Sequence, residues 1–141
     1  MNVLYTAEAT AWGGREGRAA STDGNVDVQL SIPKDMGGPG ADGATNPEQL
    51  FAVGYAGCFH SALKLIARRE GVDVSESAIT ARVGIGMNDA GGFGLAVELE
   101  AELPGVETDQ ANKLLEAAHA VCPYSNATRG NVDVTLTLHE E

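Results

Sequence analysis

Apolar and polar side chains alternate over residues 2 to 12 and again over 25 to 32, "NVDVQLSI". A period of two is what a strand with one buried face requires, so each stretch predicts a strand. Between them "GGREGRAASTDGN" supplies turns at Gly13-Gly14 and at Asp23-Gly24. Residues 33 to 43, "PKDMGGPGADG", hold too much glycine and proline for regular structure and predict a loop, of a length that usually serves a function or moves. The period then changes. In "TNPEQL", Thr45 or Asn46 can cap a helix, Pro47 suits its first turn, and Glu48 stands three after Thr45 as in a capping box. The helix is expected to run to about Gly71 with Arg68 and Arg69 in its last turn. Phe51, Ala52, Tyr55, Cys58, Phe59, Ala62, Leu65 and Ile66 fall at helical spacing, while Val53 and Leu63 add apolar groups elsewhere, so this helix should be central and largely buried.

Downstream, 77 to 88 and 93 to 103 alternate around the turn at 89 to 92 and predict a hairpin. Pro104-Gly105 breaks the chain, Thr108 or Asp109 can cap a second helix to about Val121, and residues 132 to 138 alternate as a last strand. Strands, long helix, hairpin, helix and strand in that order lack the regular βαβ alternation of a parallel sheet. The expected class is α+β with mostly antiparallel sheets around a long central helix. At 141 residues, a single domain spanning 1–141 is expected.

Charge narrows the partners. With 20 acidic against 9 basic residues the formal net charge is −11, which repels phosphate backbones and anionic membrane surfaces, so neither nucleic acid nor membrane is an expected partner. The first residues lack the basic and apolar regions of a signal peptide, and no apolar run is expected to approach the roughly 20 residues of a membrane span. A cytoplasmic location is expected. In that reducing compartment a permanent disulfide is disfavoured, which leaves the two cysteines as buried and inert, metal-binding or catalytic.

Metal binding would need Cys58-x-His60 and His119-x-x-Cys122 as four ligands. Residues i and i+2 of a helix point about 200° apart, so Cys58 and His60 cannot ligate one ion unless the helix breaks between them. His119 and Cys122 could share a face, but Pro123 makes Cys122 a helix end. There is no C-x-x-C of the thioredoxin type either. Two separate core cysteines and a reactive pair both stay open. "CPYSNATRGN" tips the balance, since it is too polar for a core and predicts a shaped loop presenting Cys122 and Tyr124.

Three stretches, "GGREG" at 13 to 17, "TNPEQLFAVGYAGCFHSAL" at 45 to 63 and "AHAVCPYSNATRGN" at 118 to 131, resemble the organic hydroperoxide resistance (Ohr) family of the Ohr/OsmC superfamily. The likeness covers essentially the whole chain, and the third stretch separates Ohr from its OsmC relatives. It implies an intertwined α+β homodimer acting as a thiol peroxidase that reduces organic and fatty-acid hydroperoxides to alcohols. It implies no metal, haem or flavin cofactor, and a lipoyl-bearing protein or small dithiol as reductant. By motif, Cys58 would be the peroxidatic cysteine, Cys122 the resolving one, and Arg15 with Glu48 their polar partners. Arg15 is chosen over Arg18 because it lies inside "GGREG". Met36, Phe51, Met87, Phe93 and Tyr124 are candidates for an apolar substrate lining, chosen for size and expected proximity. The alternatives are an OsmC-like peroxidase of broader substrate range and a non-catalytic protein binding an apolar ligand.

Thiolate attack on the O–O bond would release alcohol and leave Cys58 as a sulfenic acid, which Cys122 would condense into a disulfide. Glu48 and Cys58 are ten residues apart, about 15 Å of rise and about 80° of rotation on a straight helix. One guanidinium cannot easily serve both, so either the helix bends near Gly54 or Gly57, or the Arg15–Glu48 pair reaches a cysteine of a second subunit. The second arrangement is the expected one.

Overall fold

A computed structural model describes residues 1–140 of the chain, which falls into two compact units, Met1–Leu50 and Phe51–Glu141. The first holds β1 (Ala9–Trp12), β2 (Arg18–Ser21) and β3 (Asp27–Gln29) in one antiparallel sheet of that order. The expected strands at 2 to 12 and 25 to 32 are therefore much shorter. Residues 1 to 8 are exposed; the Thr22 N–H donates to the Glu8 carbonyl at 2.9 Å, but no strand among the described residues pairs with residues 1 to 7, and an alternating pattern cannot hold a strand without a partner. The loop from Pro33 carries one 3-10 turn, Lys34–Met36. The apolar side chains buried in this unit are Ala20 and Leu30.

The helix α1 (Pro47–Glu70) begins in the first unit and continues into the second. Asn46 caps it, its Oδ1 accepting from the Gln49 N–H at 2.8 Å. Thr45 turns instead to Gln49, its hydroxyl donating to Oε1 at 2.6 Å, so Glu48 is not part of a capping box. The helix is also less buried than its composition suggests. Tyr55, Phe59, Ala62, Leu63, Ile66 and Ala67 are buried, whereas Val53 and Leu65 face out. By length and composition α1 is apolar enough to cross a membrane, contrary to the reading of the sequence, because alanine and glycine dilute its few polar side chains. Only a third of its most apolar window is buried in the chain.

In the second unit β4 (Ala78–Met87) and β5 (Phe93–Glu102) form the expected hairpin, with Met87 opposite Phe93 at its tip. The last strand, β6 (Asp133–Leu138), pairs with β5 in parallel, while the other strand pairs are antiparallel, so the sheets are mostly antiparallel as expected. The helices α2 (Thr108–Val121) and α3 (Pro123–Thr128) supply the crossover that parallel neighbours need. One face of this sheet, with Val97, Leu99 and Ala101 from β5, packs with Phe59 and Leu63 of α1 and Leu114, Leu115 and Ala118 of α2. The other face is charged, where Arg82 donates to Glu98 and Glu100, each at 2.9 Å. The cap of α2 is Glu107, whose carboxylate accepts from the N–H groups of Asp109 and Gln110, in place of Thr108 or Asp109.

Candidate functional site

Two clusters of chemistry emerge, one in each unit. In the first, "GGREG" folds into a 3-10 turn at Gly14–Glu16. Gly17 closes it because a Cβ there would lie 1.7 Å from the Trp12 carbonyl oxygen. The turn presents Arg15, whose two terminal nitrogens donate to the two carboxylate oxygens of Glu48 at 2.8 and 2.6 Å. A bidentate pair of this kind fixes a guanidinium in orientation as well as position. The Arg15 hydrogen bonds hold the Glu48 carboxyl below its ordinary range against the opposing effect of burial. Arg18 instead pairs with Asp27 on the exposed face of β2 and β3 and lies over Trp12.

In the second unit the helices bring the thiols together. Cys58 is half-buried on α1, and Cys122 is fully buried at the junction of α2 and α3. Their sulfurs are 3.5 Å apart and not bonded. Pro123 creates the junction, since a residue before proline is pushed out of the helical region, and Cys122 has ψ 124°. The stretch expected to be a loop is thus α3, with Ser125 and Thr128 on its buried face. Burial pushes the Cys58 thiol pKa up, while the Tyr124 backbone N–H acts in the opposite sense.

Aromatic rings adjoin the thiols. Phe51, Tyr55 and Tyr124 form a triangle with centroid separations of 5.9, 5.9 and 5.6 Å, in which Tyr55 is fully buried and Tyr124 reaches the surface. Of the candidate lining residues, Phe51 and Tyr124 belong to this group. Met87 and Phe93 stand at the hairpin tip, exposed and outside the core, and Met36 is an exposed residue of the first unit.

The sequence reading missed the polar layer beneath the rings. The Tyr55 hydroxyl is 2.8 Å from Ser125 Oγ, which is 2.7 Å from His119 Nδ1. Thr128 Oγ1 lies 3.3 Å from the same phenol. The available signal was the i, i+3 spacing of Ser125 and Thr128, hidden by taking their segment for a loop. His60 bonds Ser77 at 2.9 Å, and burial lowers the pKa of both His60 and His119. Among the described residues no group of three or more His, Cys, Asp or Glu side chains is placed to hold a metal ion.

An α+β chain carrying two free thiols in contact, one half-buried and one buried, defines a dithiol protein. The model of the OsmC family, described as OsmC-like protein, matches residues 39–137. The organic hydroperoxide resistance protein of Xanthomonas axonopodis pv. citri (strain 306) is 56% identical over 137 residues, covering 96% of this chain and 95% of its own length. Organic hydroperoxide resistance protein OhrA of Bacillus subtilis (strain 168) is 46% identical over 138 residues, with 97% of both chains covered. The crystal structure of an organic hydroperoxide resistance protein from Elizabethkingia anophelis superposes with a TM-score of 0.93 at 50% identity, over 100% of both chains. The chain belongs to the OsmC-like family and, within it, to the organic hydroperoxide resistance proteins.

Proposed function

We propose that the protein is a cysteine-based peroxidase that reduces organic hydroperoxides, including those of fatty acids, to alcohols. The observation that carries this reading is the 3.5 Å contact between the half-buried Cys58 and the buried Cys122, both free. Cys58 attacks the peroxide as a thiolate. The O–O bond breaks, the distal oxygen stays on sulfur as a sulfenic acid, and the alkoxide takes a proton to leave as alcohol. Cys122 then displaces that oxygen as water and forms a disulfide. A dithiol donor, a lipoyl-bearing protein or a small dithiol, returns both thiols by exchange. Free thiols in such a cycle suit a reducing compartment, the cytoplasm.

The Arg15–Glu48 pair is the electrostatic partner of this step. A fall of about three in a thiol's pKa raises the thiolate fraction at pH 7 about 30-fold but costs about 20-fold in nucleophilicity if the Brønsted slope for disulfide exchange applies. These effects nearly cancel. Arg15 therefore acts mainly by orienting the peroxide and stabilising charge on the departing oxygen. Phe51 and Tyr124 offer apolar surface to the alkyl chain, with Met36, Met87 and Phe93 as further contacts from exposed segments.

The working form is a homodimer in which the Arg15–Glu48 pair of one copy serves the thiols of the other. Two features support it: the first unit buries only Ala20 and Leu30 among its apolar side chains, and only a third of the apolar window of α1 is buried within the chain. A 50-residue segment with so little buried apolar surface does not offset its own ordering entropy. A second copy supplies the missing cover, and the 1–141 chain then folds as one domain within that assembly.

Reduced protein mixed with one equivalent of alkyl hydroperoxide should lose two thiols per chain and release one equivalent of alcohol, and hydrogen peroxide should react more slowly. Persistence of both thiols would leave the family fold without the activity, and favour an apolar-ligand-binding protein.

A further inference from the structure

Between the helices that carry the two cysteines runs a buried hydrogen-bonded chain to which the reaction above assigns no part. Tyr55 lies three residues before Cys58 on α1, His119 three before Cys122 on α2, and Ser125 three after it on α3. The side chains of Tyr55 and Ser125 have no exposed surface, and Thr128 has 4%. Ser125 Oγ is held from both sides, by the Tyr55 phenol at 2.8 Å and by His119 Nδ1 at 2.7 Å. Thr128 Oγ1 has its own proton directed at the carbonyl oxygens of Tyr124 and Ser125, at 3.0 and 3.2 Å. Every hydrogen in the chain then has a place. His119 Nδ1–H donates to Ser125, Ser125 to the phenol oxygen, and the phenol to Thr128; the other His119 tautomer simply reverses the first two bonds, with the phenol then donating to Ser125.

We infer that Tyr55, Ser125 and His119 are positioning residues that hold the Cys122 sulfur against Cys58 for disulfide closure. The inference rests on the two-thiol peroxidase reading. Cys122 is the single residue joining α2 to α3, and a pivot there would swing its side chain. His119 to Ser125 ties α2 to α3 across that pivot, and Ser125 to Tyr55 ties both to the helix bearing Cys58. A second strut spans the same break, where Arg129 donates to the His119 carbonyl at 2.5 Å and to Asn126 Oδ1 at 2.6 Å. The tie matters because Cys58 sulfenic acid has two fates. Attack by the Cys122 thiol forms the S–S bond, breaks S–O and releases water. Reaction with a second hydroperoxide instead yields sulfinic acid and another alcohol, an irreversible loss. The first fate wins only if the second sulfur is already in place, and a misplacement of about 1 Å can cost about 100-fold.

The test is rapid quenching of reduced protein after excess alkyl hydroperoxide, with mass spectrometry separating thiol, sulfenic acid, disulfide and sulfinic acid. In Tyr55→Phe and Ser125→Ala the ratio of the closure rate to the rate of first-thiol oxidation should fall by about 10- to 100-fold. The sulfinic fraction should rise with peroxide concentration. His119→Ala should behave likewise, and His119→Asn, which keeps a hydrogen-bonding group near the Nδ1 position, should recover much of the loss. If wild-type protein closes its disulfide and all these variants keep the same ratio, the positioning role is overturned. Variants that lose both steps in proportion would also overturn it, since a general loss of folding has no preference for closure. Wild-type protein that loses no thiol would overturn the peroxidase reading itself.

Discussion

The two units of the chain divide the chemistry between unlike kinds of structure. The first, Met1–Leu50, is short strands and glycine-rich turns with almost nothing apolar buried, and it holds the two-toothed Arg15–Glu48 ion pair. The second holds a packed core of sheet and helices and seats its two thiols at that core's edge, one buried and one half-buried. A thiol pair must be held to within a fraction of an ångström, which rigid packing and buried hydrogen bonds provide. In the proposed reaction a guanidinium that receives the peroxide need only be oriented, and a bidentate carboxylate on a light scaffold does that.

Removing a thiol should give the largest effects. Cys58→Ser is expected to abolish alcohol formation, whereas Cys122→Ser should release one alcohol per chain in forming the sulfenic acid, a second as that goes on to sulfinic acid, and then stop, as read by alcohol yield per protein. Removing the charge from the first unit comes next. Arg15→Ala should lower the rate of first-thiol oxidation by about 100- to 1000-fold even above the Cys58 pKa, the scale of a lost preorganised donor. Full recovery of rate at high pH would reduce its role to the thiol pKa. Mixing Arg15→Ala with Cys58→Ser subunits sharpens the same contrast. If the pair serves the other copy, a mixed dimer regains one intact site, and a statistical mixture regains about a quarter of wild-type activity. No recovery would place both groups in one chain.

Legibility followed the same division. The hairpin, both long helices and the final strand were readable because each has a core face, so periodicity in sequence and burial in structure agree. In the first unit, residues 2 to 7 alternate without forming a strand because no strand among the described residues pairs with them. Cys122 and Tyr124 could be singled out because Pro123 marks a break. Pro123 also concealed α3, since the polar run after it, with Ser125 and Thr128, belongs to a helix whose buried face is hydroxyl groups. Met87 and Phe93 were chosen for size and likely proximity, and position across a fold is what a linear sequence carries least: both lie at an exposed hairpin tip.

Smaller effects probe each unit separately. A Cβ at Gly54 would meet the Tyr124 ring, 2.9 Å from its hydroxyl oxygen and 3.2 Å from Cε2. Gly54→Ala should therefore displace Tyr124, cost about 1–3 kcal/mol of stability as overpacking does, and raise KM for long-chain hydroperoxides more than for short ones. The acid limb should be the mildest. Because the folded-state pKa of Glu48 is depressed, the pair's contribution to stability is complete above the ordinary carboxylate pKa, about 4.3, and is lost as pH falls through the folded value. The difference in Tm between wild type and Glu48→Gln should accordingly be present at pH 7 and shrink toward zero in acid.

The most direct measurement of the central claim is peptide mapping, without reduction, of protein oxidised by one equivalent of alkyl hydroperoxide. The account predicts a single cross-link, Cys58 to Cys122 within one chain, removed by a dithiol with return of both thiols. Sulfinic acid at Cys58 beside a free Cys122, or a cross-link between chains, would contradict it.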